Sequence, residues 1–151
     1  MRRLCLLLLL ACSLPALAED GCKSKLQEFV NRSGFTVKVA RPCQVWVAID
    51  ALSIPREGGL QGMLLIAQEG ELGILGTVVQ TKAKLSLSAE LMTRLLQMNN
   101  EIEFAKVGLD SDGDLFIRAE LRMNTLTEEE FKATVKNLTE ASAKVYAALK
   151  K

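Results

Sequence analysis

The chain has 151 residues, 49% of them apolar and 25% charged, with 19 Lys and Arg against 18 Asp and Glu. That length builds one core and not two, and the charge balance excludes a strongly basic nucleic-acid binder and an acidic disordered tail. Histidine is absent, which excludes Ser-His-Asp and Cys-His catalysis and every metal site that needs an imidazole.

Residues 1–18 read MRRLCLLLLLACSLPALA. A short positive start (Arg2, Arg3) precedes residues 4–14, apolar but for Ser13. Pro15 then breaks the run, and Ala16-Leu17-Ala18 fits small-x-small cleavage. This pattern predicts a secretory signal peptide cut after Ala18. The run is shorter than the roughly 20 residues that span a bilayer. An uncleaved anchor and lipoprotein processing before Cys12 are the alternatives. No later segment is long and apolar enough to cross a membrane. The expected product, residues 19–151, is one exported domain, periplasmic or secreted. Loss of Arg2 and Arg3 leaves it one negative charge in excess. Cys5 and Cys12 leave with the leader, so Cys22 and Cys43 remain, and an oxidising compartment predicts one disulfide between them. Two unpaired thiols are the alternative.

Residues 22–31 carry Leu26, Phe29 and Val30 at helical spacing before Ser33-Gly34, a short amphipathic helix. Residues 35–39 alternate as a strand, Pro42-Cys43 marks a turn, and 44–49 form a second strand centred on Trp46. Residues 53–59, with Pro55, Gly58 and Gly59, read as a loop. Residues 60–68 and 72–81 are strands apolar on both faces, joined by the turn Glu69-Gly70-Glu71. Short turns make this an antiparallel sheet, and double-sided strands imply that both its faces are partly covered.

Ser88 caps an expected helix over 89–99. Leu91, Leu95 and Met98 lie on one side, with Met92 and Leu96 beside them, and so broad an apolar stripe predicts a buried helix. Residues 103–109 and 115–121 are strands around the Asp-Gly hairpin turn 110–113. In the second, Leu115, Ile117, Ala119 and Leu121 face inward and Phe116, Arg118 and Glu120 outward. Thr127 with Glu130 forms a capping box opening a helix to about Leu149. The order α-β-β-β-β-α-β-β-α defines an α+β domain, an antiparallel sheet with helices packed on one face.

One ordered series of features runs through 95–146: LLQMNN at 95–100, a strand ending Gly108-Leu109-Asp110, then Asp112-Gly113 and Leu115. A strand to Leu121, a TxEEF-type helix start at 127–131, and Val145-Tyr146 complete it. In this series the chain resembles the YbjN family of bacterial proteins. The resemblance implies the fold of type III secretion chaperones and a dimerising, peptide- or protein-binding scaffold rather than an enzyme. Unlike many members of that family, this chain opens with an export signal.

The candidate sites are few. Asp110, Asp112 and Asp114 put alternate carboxylates in a turn that an exported protein would carry into calcium. An EF-hand loop needs Gly at its sixth place and Glu at its twelfth; here Gly113 is fourth and Leu121 twelfth. The plainer reading is a solvated hairpin turn. Glu128, Glu129 and Glu130 are explained by capping and the helix dipole. Gly70, Gly73 and Gly76 mimic a phosphate loop but lie in a strand pattern with no Lys-Ser/Thr after them. The sequons at Asn31 and Asn137 read as chance. The double-sided strands remain. The helices can cover one sheet face; the other awaits a second subunit or a bound polypeptide, unless the final helix wraps around to fill it. Trp46, Met63, Leu65, Leu72, Ile74 and Phe116 are its candidate binding residues, although the core is the usual place for a Trp.

The sequence therefore points to an exported, non-catalytic binding module. Its expected partners are itself, as a homodimer, and an unidentified polypeptide, with no nucleic acid and no cofactor. The alternative is an accessory protein that binds calcium or a small ligand at the Asp110–Asp114 turn. A hydrolase is the weakest reading, since no GxSxG motif is present.

Overall fold

The computed structural model describes residues 17–49, 54 and 62–150. The signal-peptide residues 1–16, and all of the expected 53–59 loop except Ile54, lie outside the described residues. Helix α1 (Leu17–Arg32) is followed by β1 (Val37–Arg41), β2 (Gln44–Ala48), β3 (Met63–Glu69) and β4 (Leu72–Gln80). After a short 3₁₀ turn at Lys82–Lys84 come α2 (Ala89–Glu101), β5 (Lys106–Leu109), β6 (Leu115–Arg122) and α3 (Glu128–Ala148). The expected order is the observed one. The strands form one antiparallel sheet in the order β1-β2-β3-β4-β6-β5.

Alternation along the strands sorts the side chains into two sets. Val45 and Val47 of β2 pair beside Ile66 and Leu64 of β3, and Leu75 of β4 beside Ala119 of β6. All are buried, and they form one cluster with Leu26 and Val30 of α1 and Phe131, Val135, Leu138 and Val145 of α3. Helices α1 and α3 thus lie on one face, as the α+β reading expects. Phe131 is the hub: Phe29 and Phe35 meet its ring edge-on, with centroids 5.4 and 5.6 Å away. Burying each such Leu, Ile or Phe contributes about 1.5–3 kcal/mol.

Four expectations are adjusted. Helix α1 starts at Leu17 rather than residue 22, so its first turn contains the predicted cleavage point. Strand β1 starts two residues late because Phe35 turns into the core instead of pairing. Strand β5 starts at Lys106, since residues 102–105 lead out of α2 in irregular form. Helix α2 is not a buried helix. Leu95 alone is buried, and Met92 and Leu96 stand in solvent. The cause is position: α2 packs at the β5 edge, chiefly against β5 and α3, which leaves Met92 and Leu96 of its apolar stripe exposed.

Candidate functional site

Among the described residues no helix lies on the second sheet face. Cross-strand partners fix its membership: Trp46 pairs with Leu65, Ala48 with Met63, Ala67 with Ile74, Val78 with Phe116 and Leu72 with Arg122. The six residues singled out from the sequence, Trp46, Met63, Leu65, Leu72, Ile74 and Phe116, therefore share one face across β2, β3, β4 and β6. None belongs to the core cluster or packs against it. Met63, Leu65, Ile74, Val78 and Phe116 are half-buried, Leu72 is 46% exposed and Trp46 only 6%. Trp46 is thus buried without being in the core. The Arg41 guanidinium lies over its ring, 5.0 Å from the centroid, a cation–π contact that hides aromatic area while leaving the cation in water.

Sequence also shapes the far side of this face. A Cβ on Gly108 would stand 3.1 Å from the Phe116 ring, so the glycine lets that ring lie across β5. Arg118 sits 5.6 Å from the same ring and pairs with Glu120 at 3.2 Å. The face is therefore apolar in its middle and charged on its β6 flank.

A second apolar surface, which the sequence reading missed, lies at α2. Leu87, Met92, Leu95, Leu96, Val107, Leu109 and Leu115 line a shallow groove of about 180 Å³ between α2 and β5. Leu96 is the most exposed large apolar residue described, at 71%. Its signal was present in the unusual width of the stripe, read as burial rather than as a surface awaiting cover.

The two edges of the sheet differ. At β5, the Asn99 side chain of α2 receives the Val107 N–H on Oδ1 at 2.7 Å and donates Nδ2 to the Val107 carbonyl at 2.9 Å. One amide thus occupies both backbone groups that β5 turns outward at that residue. Among the described residues no side chain of a helix is hydrogen-bonded to the β1 edge in this way. The hairpin turn there is Pro42-Cys43, with Cys43 at φ 53°, the positive φ that a type II turn requires after a proline. That turn brings Cys43 to Cys22 of α1, with Cα atoms 5.0 Å apart.

The other candidates are occupied by local structure. The Asp110 carboxylate accepts the N–H groups of Asp112 and Asp114 at 3.0 and 2.9 Å, and Asp114 accepts the Lys82 N–H at 2.7 Å. Gly113 supplies the positive φ of the turn. Among the described residues no group of three His, Cys, Asp or Glu side chains is placed to hold a metal ion. Gly70 sits in the β3–β4 turn, and Gly73 and Gly76 lie within β4. Glu128, Glu129 and Glu130 form the first turn of α3, where Thr127 and Glu130 make the capping box. Among the described residues no helix is long and apolar enough to cross a membrane.

Comparison with known proteins agrees with this architecture. Residues 26–151 match the sequence profile of the YbjN family, described as "Putative bacterial sensory transduction regulator". Among curated proteins, none is significantly similar in sequence. Three solved structures share the fold. YbjN from E. coli is 17% identical, with a TM-score of 0.61 over 83% of this chain and 89% of that one. A chain of the heterodimeric ExoU–SpcU complex, from the type III secretion system of Pseudomonas aeruginosa, is 16% identical. Its TM-score is 0.57 over 82% and 97%. A chain from the Yersinia pestis type III secretion chaperone SycH in complex with a fragment of YscM2 is 13% identical, with a TM-score of 0.53 over 82% and 98%. The fold is that of the type III secretion chaperones.

Proposed function

The chain belongs to the YbjN family, and on that basis we propose that it is a non-catalytic module that holds another polypeptide against its helix-free sheet face. The observation that carries this reading is the convergence of Trp46, Met63, Leu65, Leu72, Ile74 and Phe116 on one face that no helix of the described residues covers. Half-buried aromatic and aliphatic groups with a charged border are the composition of a binding patch. Two of the structures with this fold were solved as complexes with partner proteins, which supports the same use here. A non-catalytic role fits a chain without histidine whose singled-out carboxylates serve turns and caps.

The module works after export, in the periplasm or outside the cell, once the leader is cut after Ala18. There Cys22 and Cys43 form a disulfide that ties α1 to the β1–β2 turn. It works as a homodimer, with the α2 groove facing its own copy and the sheet face left for the partner.

Photocrosslinking tests the reading. A benzophenone amino acid placed at Leu72 or Phe116 is expected to yield polypeptide adducts in the native extracytoplasmic fraction. The same group at Lys132, on the exposed side of α3, is expected to yield none. Leu65→Asp should abolish the adducts. Equal labelling from Lys132, or adducts unaffected by Leu65→Asp, would overturn the proposal.

A further inference from the structure

Cys22 and Cys43 are each half-buried, which leaves their sulfurs within reach of a small solute. Between α1 and the β3–β4 turn lies a cleft of about 350 Å³, lined by Lys25, Phe29, Arg32, Gln68, Glu71 and Met123. Gln68 joins this cleft to the cysteine pair. Its N–H donates to the Cys43 carbonyl at 2.8 Å, and its Nε2 donates to the Gly70 carbonyl at 3.0 Å. Its Oε1 lies 3.9 Å from Cys22 Sγ. A disulfide sulfur carries no proton, so this approach is a contact and not a hydrogen bond. Cys22 and Lys25 stand about one helical turn apart on α1.

The charges of the cleft sort by wall. Arg32 is held by Glu28 at 3.6 Å and by Glu128 at 3.4 Å. Lys25 on α1 and Glu71 on the turn are exposed, and neither is ion-paired among the described residues. Phe29 and Met123 add apolar surface between them. One uncompensated cation facing one uncompensated anion suits a small zwitterion. A sulfur at the border of the cleft suits a thiol.

We infer that Cys22 is a thiolation site for a small amino-acid thiol, whose carboxylate meets Lys25 and whose ammonium meets Glu71. This site rests on the Cys22–Cys43 disulfide of the proposed function and is independent of the bound polypeptide. The incoming thiolate forms a bond to Cys22 Sγ, and the Sγ–Sγ bond breaks. Cys43 leaves as a thiolate and takes a proton from water. The small thiol is oxidised to the mixed disulfide and Cys43 is reduced, so no further oxidant enters. Leu26 and Val30 keep the rest of α1 in the core. What opens is the tie between the start of α1 and the β1–β2 turn.

The purified, air-oxidised protein is treated with free cysteine, mercaptopropionate or cysteamine, trapped with a maleimide, and mapped by peptide mass spectrometry. The small thiol is expected on Cys22 and the maleimide on Cys43. At low salt, Lys25→Glu should slow mercaptopropionate relative to cysteamine by about tenfold. Glu71→Lys should do the reverse by a similar factor, and each variant should slow free cysteine. Comparing each thiol with itself across the variants cancels its intrinsic reactivity. Both substitutions change exposed side chains, so the fold is kept. After thiolation, amide exchange should rise in 22–25 and 41–44 while 26–32 stay protected. Maleimide on both Cys22 and Cys43 before any thiol is added would overturn the disulfide and the thiolation site together. A disulfide that resists all three thiols at millimolar concentration, an adduct on Cys43 instead of Cys22, or variants that leave the rate ratios unchanged would overturn the thiolation site alone.

Discussion

At Thr127 and Glu130 two side chains settle the entry of the longest helix. The Thr127 N–H and hydroxyl donate to Glu130 Oε2 at 2.9 and 3.0 Å, and the Glu130 N–H donates back to Thr127 Oγ1 at 3.2 Å. The bond from the Thr127 backbone, and then that from its hydroxyl, hold the Glu130 carboxyl below its ordinary pKa of 4.5. A depressed carboxyl stabilises the fold above its unfolded pKa and loses that contribution as pH falls through the folded one. Glu130→Gln keeps one acceptor oxygen but not the charge. Melting temperatures should therefore favour the unaltered protein at neutral pH, and the gap should shrink as pH falls below the ordinary value of 4.5. A gap that does not change with pH would assign the effect to packing. The same residue scale shows what one sequence conveys. The capping box was legible because its partners lie three residues apart. The Asn99–Val107 clasp was not, because the match between one amide and one strand residue depends on how α2 is set beside β5.

Among the elements, α1 is the one that a covalent tie would govern. It packs on β1 and β2, and Cys22 lies on it facing the turn that Cys43 occupies. A disulfide between residues 21 apart would stabilise by about 3 kcal/mol on the loop-entropy account. Reduction, or Cys22→Ser with Cys43→Ser, should lower the melting temperature by on the order of 10 °C, at a few degrees per kcal/mol for a domain of this size. Amide exchange should rise first in α1 and the β1–β2 hairpin. A melting curve indifferent to reductant would mean that the thiols are unpaired. Strand identity and sidedness were readable in this sheet because period-two alternation is local. The late start of β1 after Phe35 and the exposure of α2 were not. Each depends on where the element sits: Phe35 is drawn to Phe131, and α2 is placed at an edge instead of across the sheet. An apolar stripe states how much surface an element must cover, not which neighbour covers it.

For the whole molecule, the fold leaves two apolar areas on opposite sides of the design. The helix-free face is half-buried within the monomer. The α2 groove is not: Leu96 is 71% exposed and Met92 46%, with Leu87 and Leu109 beside them. A monomer that kept these groups in water would forgo about 1.5–3 kcal/mol for each large side chain. A two-fold axis through the groove would bury each of them twice, once per copy. The Asn99 clasp bears on the geometry, because it denies the copies a continuous sheet through β5 and leaves helix-against-helix packing of α2 as the contact. Size-exclusion chromatography with light scattering at micromolar concentration should therefore give twice the chain mass. Leu96→Glu places a charge at both halves of the contact and should weaken the dimer about a thousandfold, equivalent to about 4 kcal/mol. Leu65→Asp, on the other face, should leave the mass unchanged while abolishing the photocrosslinks. A monomer in the unaltered protein, or a dimer broken by Leu65→Asp and spared by Leu96→Glu, would move self-association to the sheet face and leave the partner polypeptide to α2.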